Sequence, residues 1–77
     1  METTMQTPET TAEIARAVAA LLVAPAFTVR RIGPEAAALF RALPEYQATG
    51  CRFVMFGEAQ IRIETKLNGV AVLARIN

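Results

Sequence analysis

Gln60-Ile-Arg-Ile-Glu-Thr-Lys-Leu67, Asn68-Gly69 and Val70-Ala-Val-Leu-Ala-Arg-Ile76 form the stretch that decides the fold. Two β-rich runs flank an Asn-Gly pair. That pair is the strongest short-range hairpin signal, because a type I′ turn needs positive φ at both central residues. A two-residue loop pairs Leu67 with Val70, Thr65 with Val72, Ile63 with Ala74 and Ile61 with Ile76. All four pairs share one face, so hydrophobic pattern and turn chemistry point to the same register.

Immediately upstream, Cys51 to Phe56 reads as a third strand joined through Gly57-Glu58-Ala59. A two-residue loop would set Arg52 opposite Ile63 on the apolar face, where an unpaired charge is costly. A three-residue loop instead pairs Phe53 with Ile63 and Met55 with Ile61, and sets Arg52 against Glu64. The three-residue loop is therefore expected. The outer face of this meander then carries Arg52, Val54, Phe56, Gln60, Arg62, Glu64, Lys66, Ala71, Leu73 and Arg75, with Arg62 and Arg75 directly opposed.

Further back, Pro34 to Leu43 is a helix with Ala36, Leu39, Phe40 and Leu43 as its buried stripe. Gly33-Pro34 opens it, Pro44 stops it, and Glu45 to Gly50 follows as a loop. Phe27 to Ile32 alternates as a strand. The first helix starts at Thr7-Pro8-Glu9, with Thr as N-cap, Pro at the first helical position and Glu in the first turn. Ile14, Val18, Leu21 and Leu22 give it an apolar stripe, read as core, before Pro25 ends it. Residues 1–6 form a frayed polar tail and 7–77 a single domain. The fold class is α+β, in the order α-β-α-β-β-β. Its sheet is expected to be mixed and four-stranded, with two helices on one face.

Composition bounds the chemistry. With 77 residues, 53% of them apolar, the chain can bury one core. Cys51 is the only cysteine, so no internal disulfide forms, and the residue reads as a small apolar side chain at a strand start. The chain contains no His, Asp, Ser or Trp, which removes Ser-His-Asp triads, Cys-His pairs and His-based zinc sites. Four dispersed glycines make no phosphate-cradling loop. No catalytic residue, cofactor or metal is expected, and the chain reads as not an enzyme. It has no basic n-region of a signal peptide and no apolar run that spans a bilayer, so it is expected in the cytoplasm, away from membranes. Net charge is +1, too small to indicate nucleic acid by itself.

A small α/β domain without catalytic residues, targeting signal or disulfide, rich in Ala and Arg with a single Lys, resembles the anti-CRISPR proteins of phages and other mobile elements. Among these it looks like an inhibitor of a type I-C system. The class shares no motif, so no residue carries over by position. The resemblance implies a stoichiometric protein inhibitor that binds a CRISPR-Cas surveillance complex in the bacterial host and blocks its target DNA. Such a complex holds DNA in a basic channel, which carboxylates can occupy. Glu9, Glu13, Glu35, Glu45 and Glu58 are then the partner-binding candidates, although helix-start glutamates also serve the helix dipole. Two other functions stay open. A nucleic-acid-binding module would use the arginine-edged face of Arg52, Val54, Phe56, Arg62, Leu73 and Arg75. A homodimeric or antitoxin-like interaction protein would use the apolar residues of that face or an open sheet edge.

Overall fold

The computed structural model describes residues 8–77. The expected tail, residues 1–6, and the Thr7 N-cap lie outside the described residues. The elements are α1 (Pro8–Leu22), β1 (Val29–Ile32), α2 (Pro34–Ala42), α3 (Pro44–Ala48), β2 (Val54–Phe56), β3 (Ala59–Thr65) and β4 (Ala71–Arg75). The class is α+β as expected, with an antiparallel meander at its end.

The sheet is wholly antiparallel, in the order β1-β4-β3-β2. The expected mixed sheet is corrected on this point: β1 pairs with β4, and α2 and α3 carry the chain from one edge of the sheet to the other. Residues 45–48, expected as loop, belong to α3. Pro44 both stops α2 and starts α3, at the helix position where its missing N–H does no harm. Tyr46 is buried there against Phe40, their rings 5.5 Å apart and tilted by 59°.

Both hairpin registers differ from expectation by one residue. Thr65 pairs with Ala71, Ile63 with Leu73 and Ile61 with Arg75. The turn explains the shift. Gly69 donates its N–H to the Lys66 carbonyl and Lys66 donates to the Val70 carbonyl, both at 2.8 Å. Leu67-Asn68-Gly69 is thus a three-residue loop. Only Gly69 has positive φ (84°), and the Asn68 side chain accepts the Val70 N–H at 3.1 Å. In the other hairpin Phe56 pairs with Ala59 and Val54 with Ile61, so the loop is the two residues Gly57-Glu58, with Gly57 at φ 65°. The charge clash argued against that register does not arise, because β2 begins at Val54 and leaves Arg52 outside the strand.

A one-residue slip exchanges the faces of a strand. Accordingly β3 presents Ile61 and Ile63 to the core as expected, while β2 and β4 present the opposite set. Val54, Ile61, Ala71 and Leu73 join Leu21, Val18, Ala36 and Phe40 in one cluster, so the helices pack on a single sheet face. Phe40, Leu21, Ile61 and Leu73 are the largest fully buried side chains. Val72 and Ala74 lie on the other face, flanked by Arg31 and Glu64 and by Val29 and Arg62.

Polar contacts fix the helices to the sheet. The Glu13 carboxylate accepts the Gly33 N–H at 2.7 Å, tying α1 to the corner between β1 and α2. Arg41 donates to the Thr65 hydroxyl at 2.9 Å. At the far end of α1, the Arg75 Nη1 donates to the carbonyls of Leu21, Leu22 and Ala24 at 3.1, 2.9 and 3.0 Å. No basic residue occupies the last turn of α1 itself, so this cation from β4 serves the helix C-terminus.

Candidate functional site

The most developed concavity is an apolar groove of about 570 Å³ between α1 and the β2 edge. One wall is the α1 face of Ile14, Ala15, Val18, Ala19 and Leu22. Its other wall comes from Leu39, Leu43 and Phe56, with Val54 and Met55 of β2 also lining it. Glu45 is the one charged residue along it. Leu22, 43% exposed, stands open beside this groove, whereas Met55 pairs with Gln60 and turns its side chain to the other sheet face, meeting the groove only along the β2 edge. Sequence reading missed this site, although a signal existed. Between Ile14 and Ala24 only Arg16 is charged, an apolar surface wider than one core-facing stripe requires. Ala17, Val18 and Leu21 serve the core; Ala15, Ala19 and Leu22 are left over for the groove.

The expected glutamate set does not form one surface. Glu9, Glu35, Glu45 and Glu58 are exposed, whereas Glu13 is half-buried and engaged with Gly33. That contact lies next to Ile32, which pairs with Ala71 at the start of β4. Glu58 sits in the β2–β3 turn at the other end of the sheet, where Asn77 donates to its carbonyl at 2.8 Å. Glu9, Glu35 and Glu45 each occupy the first turn of a helix.

The arginine-edged set is likewise divided. Val54 and Leu73 are buried on the helix side, Phe56 packs partly buried against the core, and Arg75 caps α1. Arg62 is exposed on the opposite sheet face, and Arg52 is exposed in the loop before β2. Cys51, expected at a strand start, is exposed in that same loop with φ 60°. A second concavity of about 440 Å³ has Arg31 and Arg41 on its rim. The one ion pair among the described residues is Lys66–Glu64, 3.8 Å apart and solvent-exposed, so surface electrostatics contributes little to the fold.

Neither sheet edge is a ready strand-docking site. β1 offers four residues, two of them the exposed Arg30 and Arg31. β2 is three residues long, and the backbone of Phe53 before it is occupied. Its N–H donates to the Thr49 hydroxyl at 3.1 Å, and that hydroxyl lies 2.7 Å from the Phe53 carbonyl. Short, charged and plugged edges resist strand addition. No group of three or more Cys or Glu is placed to hold a metal ion among the described residues. None of their helices is long and apolar enough to cross a membrane. Comparison with known proteins finds no family model, no curated protein and no solved structure that matches this chain.

Proposed function

We propose that this chain is a non-enzymatic protein-interaction domain that acts by stoichiometric binding. The apolar groove between α1 and β2 carries this reading. It combines exposed Leu22 with a nearly uncharged lining, which suits apolar side chains of another protein better than a phosphate backbone. At the level of the partner, the reading follows the anti-CRISPR resemblance: an inhibitor of a type I surveillance complex that blocks target DNA. The carboxylates available for a basic channel are Glu9, Glu35, Glu45 and Glu58, all exposed and without an ion-pair partner among the described residues, with Glu58 apart from the others at the β2–β3 turn. Glu13 is excluded because its carboxylate is spent inside the fold.

The test uses purified type I-C surveillance complex and labelled target duplex. Wild-type protein should co-elute with the complex and abolish duplex binding. Ala19→Glu, on the groove wall, should weaken co-elution, and joint reversal of Glu9, Glu35 and Glu45 to Lys should slow association and reduce its salt dependence. Reversal of the exposed Arg52 and Arg62 to Glu should do much less. Absence of co-elution removes the surveillance-complex partner. Full binding by folded Ala19→Glu removes the groove from the function.

A further inference from the structure

Leu22-Val-Ala-Pro-Ala-Phe27 is a run of six apolar residues, and it lies at the surface. Val23 is 88% exposed and Phe27 77%. Surface loops are ordinarily polar because their backbone groups need water. Here about half of the loop carbonyls, those of Leu22, Ala24 and Pro25, are bonded within the protein. Arg75 Nη1 serves the carbonyls of Leu21, Leu22 and Ala24. Phe27 donates its N–H to the Arg75 carbonyl at 2.6 Å, and the Pro25 carbonyl accepts from both the N–H and the hydroxyl of Thr28 at 3.3 and 2.8 Å. The groups with internal partners lose little when the loop leaves water, which lowers the cost of burying it.

Phe27 itself is out of place as a turn residue. It has φ 71° at the third position of the Pro25–Thr28 turn, a place that a type II turn gives to glycine. A bulky side chain held in the left-handed region and pointed at solvent gains nothing for the fold from its ring. Its backbone is nonetheless clamped, which makes it a pre-ordered aromatic anchor of the sort that dominates interfaces.

We infer that this loop is the occupant of the groove on a second copy of the chain, with Val23 and Phe27 inserting between α1 and β2. The inference rests on the reading of the groove as a protein-docking surface and names its occupant in the free protein, which the surveillance complex displaces when it binds there. Size permits it: a cavity of about 150 Å³ holds a benzene ring, and the groove offers about 570 Å³. Chemistry permits it too, since loop and groove are both apolar and Glu45 is the one charge along either. Leu22 belongs to both, lining the groove and starting the loop, so the two features adjoin. Two chains can therefore exchange loops about a twofold axis and close the contact on itself. The strand edges offer no competing route, because antiparallel pairing about the middle of β1 would set Arg30 against Arg31 of the other copy.

Sedimentation equilibrium from low micromolar to millimolar protein tests this, with circular dichroism as the check on folding. Wild-type chain should pass from monomer to dimer. Phe27→Gly, which suits the turn, and Ala19→Glu, at an exposed helix position, should each stay monomeric. Mixed in equal amounts, they should associate more than either variant alone but less than wild type, because one of the two loop–groove contacts is intact and the other carries both substitutions. A wild type that is monomeric throughout, a variant that dimerises like wild type, or a mixture that associates as strongly as wild type each overturns the inference. The groove as a docking surface is judged separately, by binding of Ala19→Glu to the surveillance complex. A monomeric wild type that needs an intact groove for that binding would overturn the second-copy occupant alone.

Discussion

Removing the Arg75 side chain is expected to destabilise the domain more than any other change to a charged residue, and the geometry sets the size of the loss. Nη1 carries two protons and faces three carbonyls, so it makes two charge-assisted bonds at a time, together worth about 3–6 kcal/mol before compensation. Its charge at the α1 C-terminus adds roughly 0.3–1 kcal/mol. Two effects offset this. The Leu22 carbonyl belongs to an exposed residue and can recover a water partner. The Arg75 Nε is buried without a hydrogen-bond partner among the described residues, and truncation relieves its desolvation, of order 1–3 kcal/mol. The net cost of Arg75→Ala is then about 2–3 kcal/mol. For a domain of this size that lowers Tm by roughly 10–20 °C. Arg75→Lys keeps a cation but not the planar fork and should lose about half as much. Urea unfolding followed by circular dichroism measures all three proteins. If Arg75→Ala lies within about 0.5 kcal/mol of wild type, the range of an ordinary surface substitution, the side chain faces water and the β3–β4 register described here is wrong.

Two further outcomes follow from the same register. Ile61→Asp should abolish cooperative unfolding, because it places an unpaired carboxylate at a fully buried position, whereas Arg62→Ala, one residue on and exposed, should stay within about 0.5 kcal/mol of wild type in thermal melts. Gly69→Ala should cost about 1 kcal/mol in urea unfolding. An added Cβ there meets nothing within 4 Å, so the loss would come from φ 84° alone.

Elements that rest on local chemistry were legible in the sequence. Pro8 with Glu9, Pro34 with Glu35, and Pro25 place α1 and α2 closely, since caps, dipole and proline sterics act within one turn. The existence of the meander was legible for the same reason. Register was not. Asn68-Gly69 is compatible with a two-residue loop and with the last two places of a three-residue one, and the choice depends on what the strands meet across the sheet. The fully buried Leu73 opposite Ile63, and Arg75 reaching the end of α1, favour the longer loop, but both depend on a helix some fifty residues earlier. The β2–β3 loop was hidden for another reason: Arg52 counts against two loop residues only in a strand long enough to contain it, and β2 begins at Val54. Five-residue α3 is too short to show a period, and its Tyr46–Phe40 contact is tertiary. Phe27 in a glycine slot has no sequence signature, because turn preferences argue against it.

The turn at Leu67-Asn68-Gly69 and the apolar loop at Leu22–Phe27 lie apart in sequence, yet Arg75 makes one depend on the other. Had the hairpin closed with two loop residues, Arg75 would stand on the helix-free face of the sheet, and the carbonyls of Leu22 and Ala24 would need water, while that of Leu21 would keep the Ala24 N–H. A loop that needs water cannot be withdrawn into an apolar site without losing those bonds. With the longer turn the guanidinium lies under the loop, the Arg75 carbonyl accepts from Phe27, and the loop holds an aromatic ring outward on a backbone that asks little of solvent. The glycine that closes the turn thus acts at a distance, through register, on how the surface loop is presented. Stability and binding should respond differently to changes along this line. Phe27→Gly removes the ring and eases the turn, so it should weaken association while leaving the fold as stable or slightly more so. Arg75→Ala leaves the ring in place but loosens its support, and should lower stability and association together.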